Sequence, residues 1–267
     1  MEYIDRDLNK NLLRLLPRVL RARDFRLYLE GGKRLVDLWL QGGRAVLGHK
    51  PPMVLRELKN AAERGLYSTL PHPMEGRFLK ALEKIFPGKA FRLYLDTGSL
   101  GRALAAAGFT GDIPHWRPFV DAADALGVTE PLIRPVLPWQ LGPEVLVLDK
   151  SLEASFPAGD IIPPVLLAPV TRAVHNLVAV MKVPGYDRQC YHKIEKALKN
   201  SHWRRSGIYL TLKTNMESAQ YKDLFLRFLD GGFLIPPSIM EPVILPASMS
   251  DGEESKLAVL FEHSCPA

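Results

Sequence analysis

A short polar segment, Asp96-Thr97-Gly98-Ser99, carries the residue types of an anion-binding turn. It follows an alternating apolar run at residues 91–95, and leucines and alanines then recur at helical spacing as far as residue 107. In a strand, turn and helix of this kind, glycine lets the backbone approach a phosphate, and the first helical N–H groups point at it. A hydroxyl of Thr97 or Ser99 can add a hydrogen bond. The same pattern is typical of a βα turn that binds nothing, so the turn alone leaves both interpretations open.

The elements that would hold this turn in place are visible as hydrophobic periodicity along the chain. Further elements are predicted as follows: a hairpin at residues 25–40, helices at 54–62 and 78–86, a strand at 207–213, a helix at 221–229, and a last helix after residue 250. Gly31-Gly32 supplies the hairpin turn. Ser250 and Glu253 have the spacing of a capping box, which predicts where the last helix begins.

Composition narrows the class of protein. The 267 residues are 47% apolar, which is enough for a substantial core, and the formal charge of +6 is a mild basic excess. Cys190 and Cys265 form no C-x-x-C motif, and no window approaches the roughly 18 apolar residues of a membrane span. We therefore expect a cytoplasmic protein that does not bind a membrane. Basic residues between Arg6 and Arg26 could contact nucleic acid, but the absence of interleaved aromatic rings before Phe25 favours a solvated helix face.

The order of motifs resembles the class III aminotransferases, most closely the branch that contains glutamate-1-semialdehyde aminomutase. After the hairpin comes G-G-R-A-V-L-G-H-K-P-P at residues 42–52, which is similar to the family's "L-G-H-x-x-P" loop. S-T-L-P-H-P, F-P-G-K and D-T-G-S follow in the family's order. At the other end, I-P-P-S-I-M-E at residues 235–241 is similar to the family's closing "P-P-S-x-x-E".

The resemblance implies pyridoxal phosphate as cofactor, bound in the family through its phosphate at a turn reading "S-G-S/T-E-A". By match, Gly98 and Ser99 occupy the phosphate positions and Thr97 the position before them. The sequence departs from the family at Leu100 and Gly101, where the family has Glu-Ala. The turn is therefore better preserved than the start of its helix.

A pyridoxal enzyme also needs a lysine for the Schiff base and an acidic partner for the pyridinium nitrogen. Asp149, at the end of the apolar run 145–148, is the candidate for the acidic partner, although a carboxylate capping the next turn is an equal interpretation. Lys182 is the candidate for the Schiff base. Lys150 follows Asp149 too closely, and Lys193, Lys196 and Lys199 are interpreted as the polar side of a helix.

A ring stacked on the cofactor is the third requirement. His115 or Trp116 stands where the family supplies this ring, and packing in the core is the competing interpretation.

Among seven histidines there is no H-x-x-x-H or H-E-x-x-H, so no metal site is predicted. His49 and His175 are interpreted as structural, and Trp203-Arg204-Arg205 as a loop anchor.

The predicted fold class is α/β: a reduced large domain of the pyridoxal-phosphate-dependent transferase fold (aminotransferase fold type I), with an α+β small domain built from both chain ends. The predicted domains are an N-terminal arm and hairpin segment at 1–73, a reduced large domain at 74–200 and a C-terminal small domain at 201–267. Only about a hundred residues separate Ser99 from Gly207, far fewer than family members have in this region. The resemblance also implies a homodimer.

Two functions remain open at this point. The first is a pyridoxal-phosphate-dependent aminotransferase or aminomutase acting on an amino-acid-type small molecule, impaired because no Schiff-base lysine is clear. The second is a pseudoenzyme, a non-catalytic relic of the fold that serves in binding or assembly. The short middle of the chain favours the pseudoenzyme as the present function of the molecule. The order of the motifs favours an aminotransferase or aminomutase as its origin.

Overall fold

The computed structural model describes residues 11–125, 130–183, 185–186, 191–199, 201–214 and 216–263. The chain divides into two compact units. The terminal unit comprises Met1–Lys50, Phe119–Asp121 and Pro184–Ala267, and the central unit comprises Pro51–Pro118 and Ala122–Val183. Among the described residues, no helix has both the length and the apolar character needed to cross a bilayer.

The described part of the terminal unit contains two small sheets together with helices. Its strands are β1 (Val19–Arg23), β2 (Arg26–Leu29), β3 (Arg34–Asp37), β8 (Trp203–Ser206), β9 (Tyr209–Leu212), β10 (Phe233–Leu234) and β11 (Val243–Ile244). The first sheet has the order β1-β2-β3-β10 and the second the order β11-β9-β8. Since β10 pairs in parallel with β3, residues from both ends of the chain complete one sheet, as predicted for the small domain.

Local sequence signals explain several of these elements. Gly31 and Gly32 both have positive φ, at 83° and 81°, and form the turn between β2 and β3. The helices of this unit are α5 (His192–Leu198), α6 (Ser218–Asp230) and α7 (Asp251–Glu262). The predicted capping box is confirmed, because the Ser250 and Glu253 side chains each bond to the other's backbone N–H at the start of α7.

The central unit is built on one four-stranded sheet. Its strands are β4 (Ala90–Tyr94), β5 (His115–Trp116), β6 (Leu132–Pro135) and β7 (Glu144–Leu148), in the order β4-β7-β6-β5. β7 runs antiparallel to both of its neighbours, whereas β5 and β6 are parallel. The helices are α1 (Val54–Glu63), α2 (Met74–Glu83), α3 (Thr97–Ala106) and α4 (Pro164–Val180), and both α1 and α2 pack against α4.

The compact units are bounded differently from the predicted domains. Because α1 packs against α4, the chain from residue 51 onward belongs to the central unit, and because α5 packs against α7, residues after 183 belong to the terminal unit. Trp203-Arg204-Arg205 is a strand rather than a loop anchor, since it pairs with β9. The basic segment between Arg6 and Arg26 was interpreted as a solvated helix face; its residues before 11 lie outside the described ranges, helix is described at 11–13, and Arg21 and Arg23 lie on strand β1 instead.

Candidate functional site

The predicted strand, turn and helix around Thr97-Gly98-Ser99 is present. β4 ends at Tyr94, Asp96 has extended backbone, and α3 begins at Thr97. Asp96 is the N-cap of α3, and its Oδ1 accepts a hydrogen bond from the Ser99 N–H at 2.8 Å. We call residues 95–99 the corner.

The donors of the corner are partly used by the protein itself. The Ser99 N–H is bonded to Asp96, and the Ser99 hydroxyl accepts a hydrogen bond from Arg102 Nη2 at 2.8 Å. The N–H groups of Thr97 and Gly98 have no hydrogen-bond partner within the described ranges. Two exposed backbone donors and two hydroxyls therefore remain near an arginine.

Negative charge also gathers at the corner. Asp160 Oδ2 accepts a hydrogen bond from the Leu95 N–H at 2.8 Å, and the Asp160 N–H donates to the Leu93 carbonyl at 2.7 Å. The neighbouring Gly159 lies so close that an added Cβ would stand 2.5 Å from the Leu93 carbonyl oxygen, so this position excludes larger residues. With Asp96, the corner has two carboxylates against the single guanidinium of Arg102. These carboxylates oppose the entry of a phosphate, whereas the N-terminus of α3 and Arg102 favour it.

Two buried polar groups lie at the same end of the sheet. Tyr94 pairs with Glu144, so the end of β4 adjoins the start of β7 and the preceding loop at 136–143. The Tyr94 hydroxyl and Trp139 Nε1 are buried and have no hydrogen-bond partner in the described chain. Burial raises the pKa of Tyr94; nearby Arg92 acts to lower it and Asp160 to raise it further.

Asp149 lies at the opposite end of β4. Antiparallel pairing places Ala90 against Leu148, so the residue after Leu148 adjoins the start of β4, about 14 Å along a five-residue strand from its end. There Asp149 Oδ1 accepts a hydrogen bond from Lys89 Nζ at 2.6 Å, and Lys89 also donates to the Glu130 carbonyl at 2.8 Å. The structure therefore does not bring Asp149 together with Thr97, Gly98 and Ser99.

Lys182 lies after the C-terminal end of α4. It is exposed and follows the last turn of α4, roughly 25 Å along the helix from Pro164. The chain contacts β4 at Asp160, before α4 begins. The loop at 136–143, which does adjoin the end of β4, reads Val-Leu-Pro-Trp-Gln-Leu-Gly-Pro and has no lysine.

The candidate stacking ring packs within the protein. Trp116 is 9% exposed and meets the Phe86 ring edge-on, with 5.0 Å between the ring centroids. His115 is exposed on the sheet edge strand β5. Among the described residues, no group of His, Cys, Asp and Glu side chains could hold a metal ion.

A buried polar cluster in the terminal unit was not singled out from the sequence. Asp37 is 1% exposed, and its Oδ1 accepts the N–H groups of Trp39 and Leu40 while its Oδ2 lies 2.8 Å from His49 Nε2. Trp39 Nε1 donates to Glu241 Oε2 at 2.5 Å. His49 of the "L-G-H-x-x-P" match thus contacts the carboxylate that holds the backbone at 39–40, and Glu241 of the "P-P-S-x-x-E" match accepts a hydrogen bond from the Trp39 indole.

Comparison with known proteins places this arrangement in a fold family. The structure superposes on an omega-transaminase from Sphaerobacter thermophilus with a TM-score of 0.66 and 12% identity, covering 97% of this chain and 96% of that one. A glutamate-1-semialdehyde aminomutase from Pseudomonas aeruginosa PAO1, solved in complex with PMP, gives a TM-score of 0.61, 11% identity and coverage of 98% and 94%. The chain has the fold of the pyridoxal-phosphate-dependent aminotransferases. The predicted fold class is therefore confirmed.

Sequence comparison gives a second, partial likeness. A glutamate-1-semialdehyde 2,1-aminomutase from Archaeoglobus fulgidus is 34% identical over 95 residues, which are 34% of this chain and 22% of the aminomutase. Two uncharacterised proteins match most of the chain: one from Treponema pallidum is 27% identical, covering 88% of this chain and 91% of its own, and one from Borreliella burgdorferi is 25% identical, covering 89% and 87%. No family model matches the sequence.

Within this aminotransferase fold, the corner can be tested against pyridoxal phosphate. The free N–H groups of Thr97 and Gly98 and the nearby Arg102 suit a phosphate. The carboxylates of Asp96 and Asp160 do not, and no lysine stands in the adjoining loop at 136–143. The loop at 136–143 therefore supplies no lysine to the corner, and Asp149 lies at the opposite end of β4.

Proposed function

We propose that this chain is a non-catalytic aminotransferase-fold protein that acts in binding or assembly. The observation that carries the proposal is the lack of a lysine in the loop at 136–143, which adjoins the end of β4 beside the corner. A Schiff base needs an amine within bonding distance of the cofactor aldehyde, and no other side chain replaces it easily. The loop that adjoins the corner thus supplies no amine for a Schiff base.

The electrostatics of the corner support the same proposal. Asp96 and Asp160 present carboxylates where the family holds a phosphate dianion, and one of the helical N–H groups is already bonded to Asp96. Two like charges close to an incoming dianion disfavour binding unless further cations offset them. Arg102 supplies one such cation, and it is already bonded to Ser99.

A second candidate function is a class III-type aminotransferase or aminomutase acting on an amino-acid-type small molecule. It is favoured by the free N–H groups at Thr97 and Gly98 and by the partial match to named aminomutases. In this candidate Thr97, Gly98 and Ser99 hold the cofactor phosphate, and the predictions for Asp149 and Lys182 require a rearrangement of the central unit.

Titration with pyridoxal phosphate, followed by borohydride reduction and peptide mapping, tests the proposal. We expect no saturable change in the cofactor's visible spectrum and no lysine labelled at a single site. A stoichiometric label on Lys182, removed in Lys182→Ala but retained in the matched surface variant Lys150→Ala, would instead establish the second candidate.

Homodimer formation and a cytoplasmic location belong to the same proposal, because the family's members dimerise and no membrane-spanning helix occurs in the described residues. Light scattering of the purified protein measures the assembly state directly. A monomer at micromolar concentration would remove the assembly part of the proposal.

A further inference from the structure

A small cavity in the central unit is lined by two exposed arginines that have no partner among the described residues. Its volume is about 200 Å³, and its walls come from α1, from the start of α2 and from the start of α4. Arg64 and Arg77 both line it, and neither has a hydrogen bond or ion pair within the described chain. Two guanidinium groups that share a cavity repel each other, so an anion between them would stabilise both.

Neutral donors lie in the same cavity. Asn60 is one of its lining residues, and its amide makes no hydrogen bond among the described residues. His72 Nδ1 accepts a hydrogen bond from the Met74 N–H at 3.1 Å, which leaves Nε2 as the protonated nitrogen of a neutral ring. His72 therefore offers an N–H donor in addition to the arginines.

The position of Arg77 is unfavourable for the helix that carries it. Arg77 lies in the first turn of α2, where the positive end of the helix dipole disfavours a cation. Arg64, by contrast, follows the last residue of α1, where a cation is favourable. A favourable interaction with the helix dipole thus accounts for a cation at Arg64 but not for one at Arg77. An anion bound in the cavity accounts for a cation at both positions.

The walls of the cavity are held by backbone hydrogen bonds. The Val165 N–H at the start of α4 donates to the Leu66 carbonyl, and Ala61 and Ala168 contribute small side chains to the lining. The helix start of α4 therefore offers no free donor to a ligand, and recognition rests on side chains. One acidic residue, Glu57, also lines the cavity and opposes an anion.

We infer that this cavity binds a small doubly charged oxyanion, held by Arg64 and Arg77 with Asn60 and His72 as further donors. Phosphate and a short dicarboxylate share the required chemistry, which is a pair of negative oxygens for two guanidinium groups. The site is separate from the corner at the end of β4, so it stands whether or not pyridoxal phosphate binds there.

The test is isothermal titration calorimetry of the full chain with inorganic phosphate and, separately, with succinate, at constant ionic strength. We expect saturable binding of at least one, weakened about tenfold in Arg77→Gln and in Arg64→Gln because each loses a charge-assisted hydrogen bond. Stronger binding of phosphate than of succinate identifies a phosphoryl ligand, and the reverse order a dicarboxylate.

Two further variants make the test specific. Glu57→Gln removes the opposing charge, so its affinity should rise several-fold. Arg56→Gln removes an exposed cation of α1 that does not line the cavity and should change affinity less than twofold. The inference is overturned if neither probe binds saturably, or if Arg56→Gln weakens binding as much as Arg77→Gln.

Discussion

The terminal unit and the central unit preserve different parts of the aminotransferase pattern. In the terminal unit, side chains far apart in sequence meet in partly buried polar contacts, such as Arg26 with Glu253 at 2.6 Å and Trp39 with Glu241. In the central unit, the residues predicted for the cofactor are dispersed, with Asp149 and Thr97 at opposite ends of β4. The terminal unit thus joins distant segments through polar contacts, whereas the central unit does not bring Asp149 together with Thr97.

Breaking the partly buried ion pair between Arg26 and Glu253 in the terminal unit should have the largest effect on stability. Glu253 is 12% exposed and accepts two hydrogen bonds from Arg26, so Glu253→Gln leaves a guanidinium without its charged partner. We expect the free energy of unfolding, measured by urea denaturation, to fall by about 3 kcal/mol. Arg34→Gln is the matched control, because Arg34 is 59% exposed and should change stability by less than roughly 0.5 kcal/mol.

The ion pair between Arg26 and Glu253 also makes the free energy of unfolding depend on pH. Burial alone raises the pKa of Glu253, but hydrogen bonds from Arg26 and from the Ser250 backbone outweigh it and lower the pKa to about 2. The pKa of Glu253 is therefore lower in the folded protein than in the unfolded chain. The stabilisation that ionised Glu253 gives the fold is fully present above pH 4.5 and is lost as the pH falls through about 2. Wild type should therefore lose more stability than Glu253→Gln between these two values.

Breaking the ion pair between Lys89 and Asp149 at the start of β4 should lower the free energy of unfolding by a smaller amount. The loss should differ according to which of the two residues is replaced. Lys89 is 7% exposed and Asp149 is 40% exposed. Asp149→Asn leaves a buried ammonium and should cost about 2 kcal/mol, whereas Lys89→Met leaves a carboxylate that water can reach and should cost about 1 kcal/mol. Equal losses, or a larger loss for Lys89→Met, would contradict a structural role of Asp149 as the partner of a buried lysine.

Replacing Asp96 in the corner should change the free energy of unfolding least. Asp96→Ala removes the N-cap of α3 and should lower the free energy of unfolding by about 1 kcal/mol, while Asp96→Asn retains an acceptor and should stay within about 0.5 kcal/mol of wild type. Chemical denaturation of both variants measures the difference. If Asp96→Ala were as stable as wild type, the carboxylate would not be acting as a cap, and the proposed reason for its presence beside the turn would fail.

Elements specified by neighbouring residues were predictable. Gly31-Gly32 places a turn wherever two apolar runs flank it, and Ser250 with Glu253 begins a helix whatever packs against it. The strand, turn and helix around Gly98 were recognised for the same reason. Asp37, Trp39 and Glu241 were not singled out for their buried contacts, because a polar residue in a loop motif gives no sign of which distant side chain it will meet.

By itself the sequence determined the order of strands, turns and helices, since periodicity, glycine turns and helix caps act over a few residues. Only the tertiary structure decided where functional side chains would gather. Antiparallel pairing of β7 with β4 placed Asp149 beside Lys89 rather than beside Ser99, and packing of α1 and α2 on α4 is accompanied by a cavity that brings Arg64 near Arg77. Strand direction and helix packing depend on contacts between distant segments, and no short stretch of sequence specifies them.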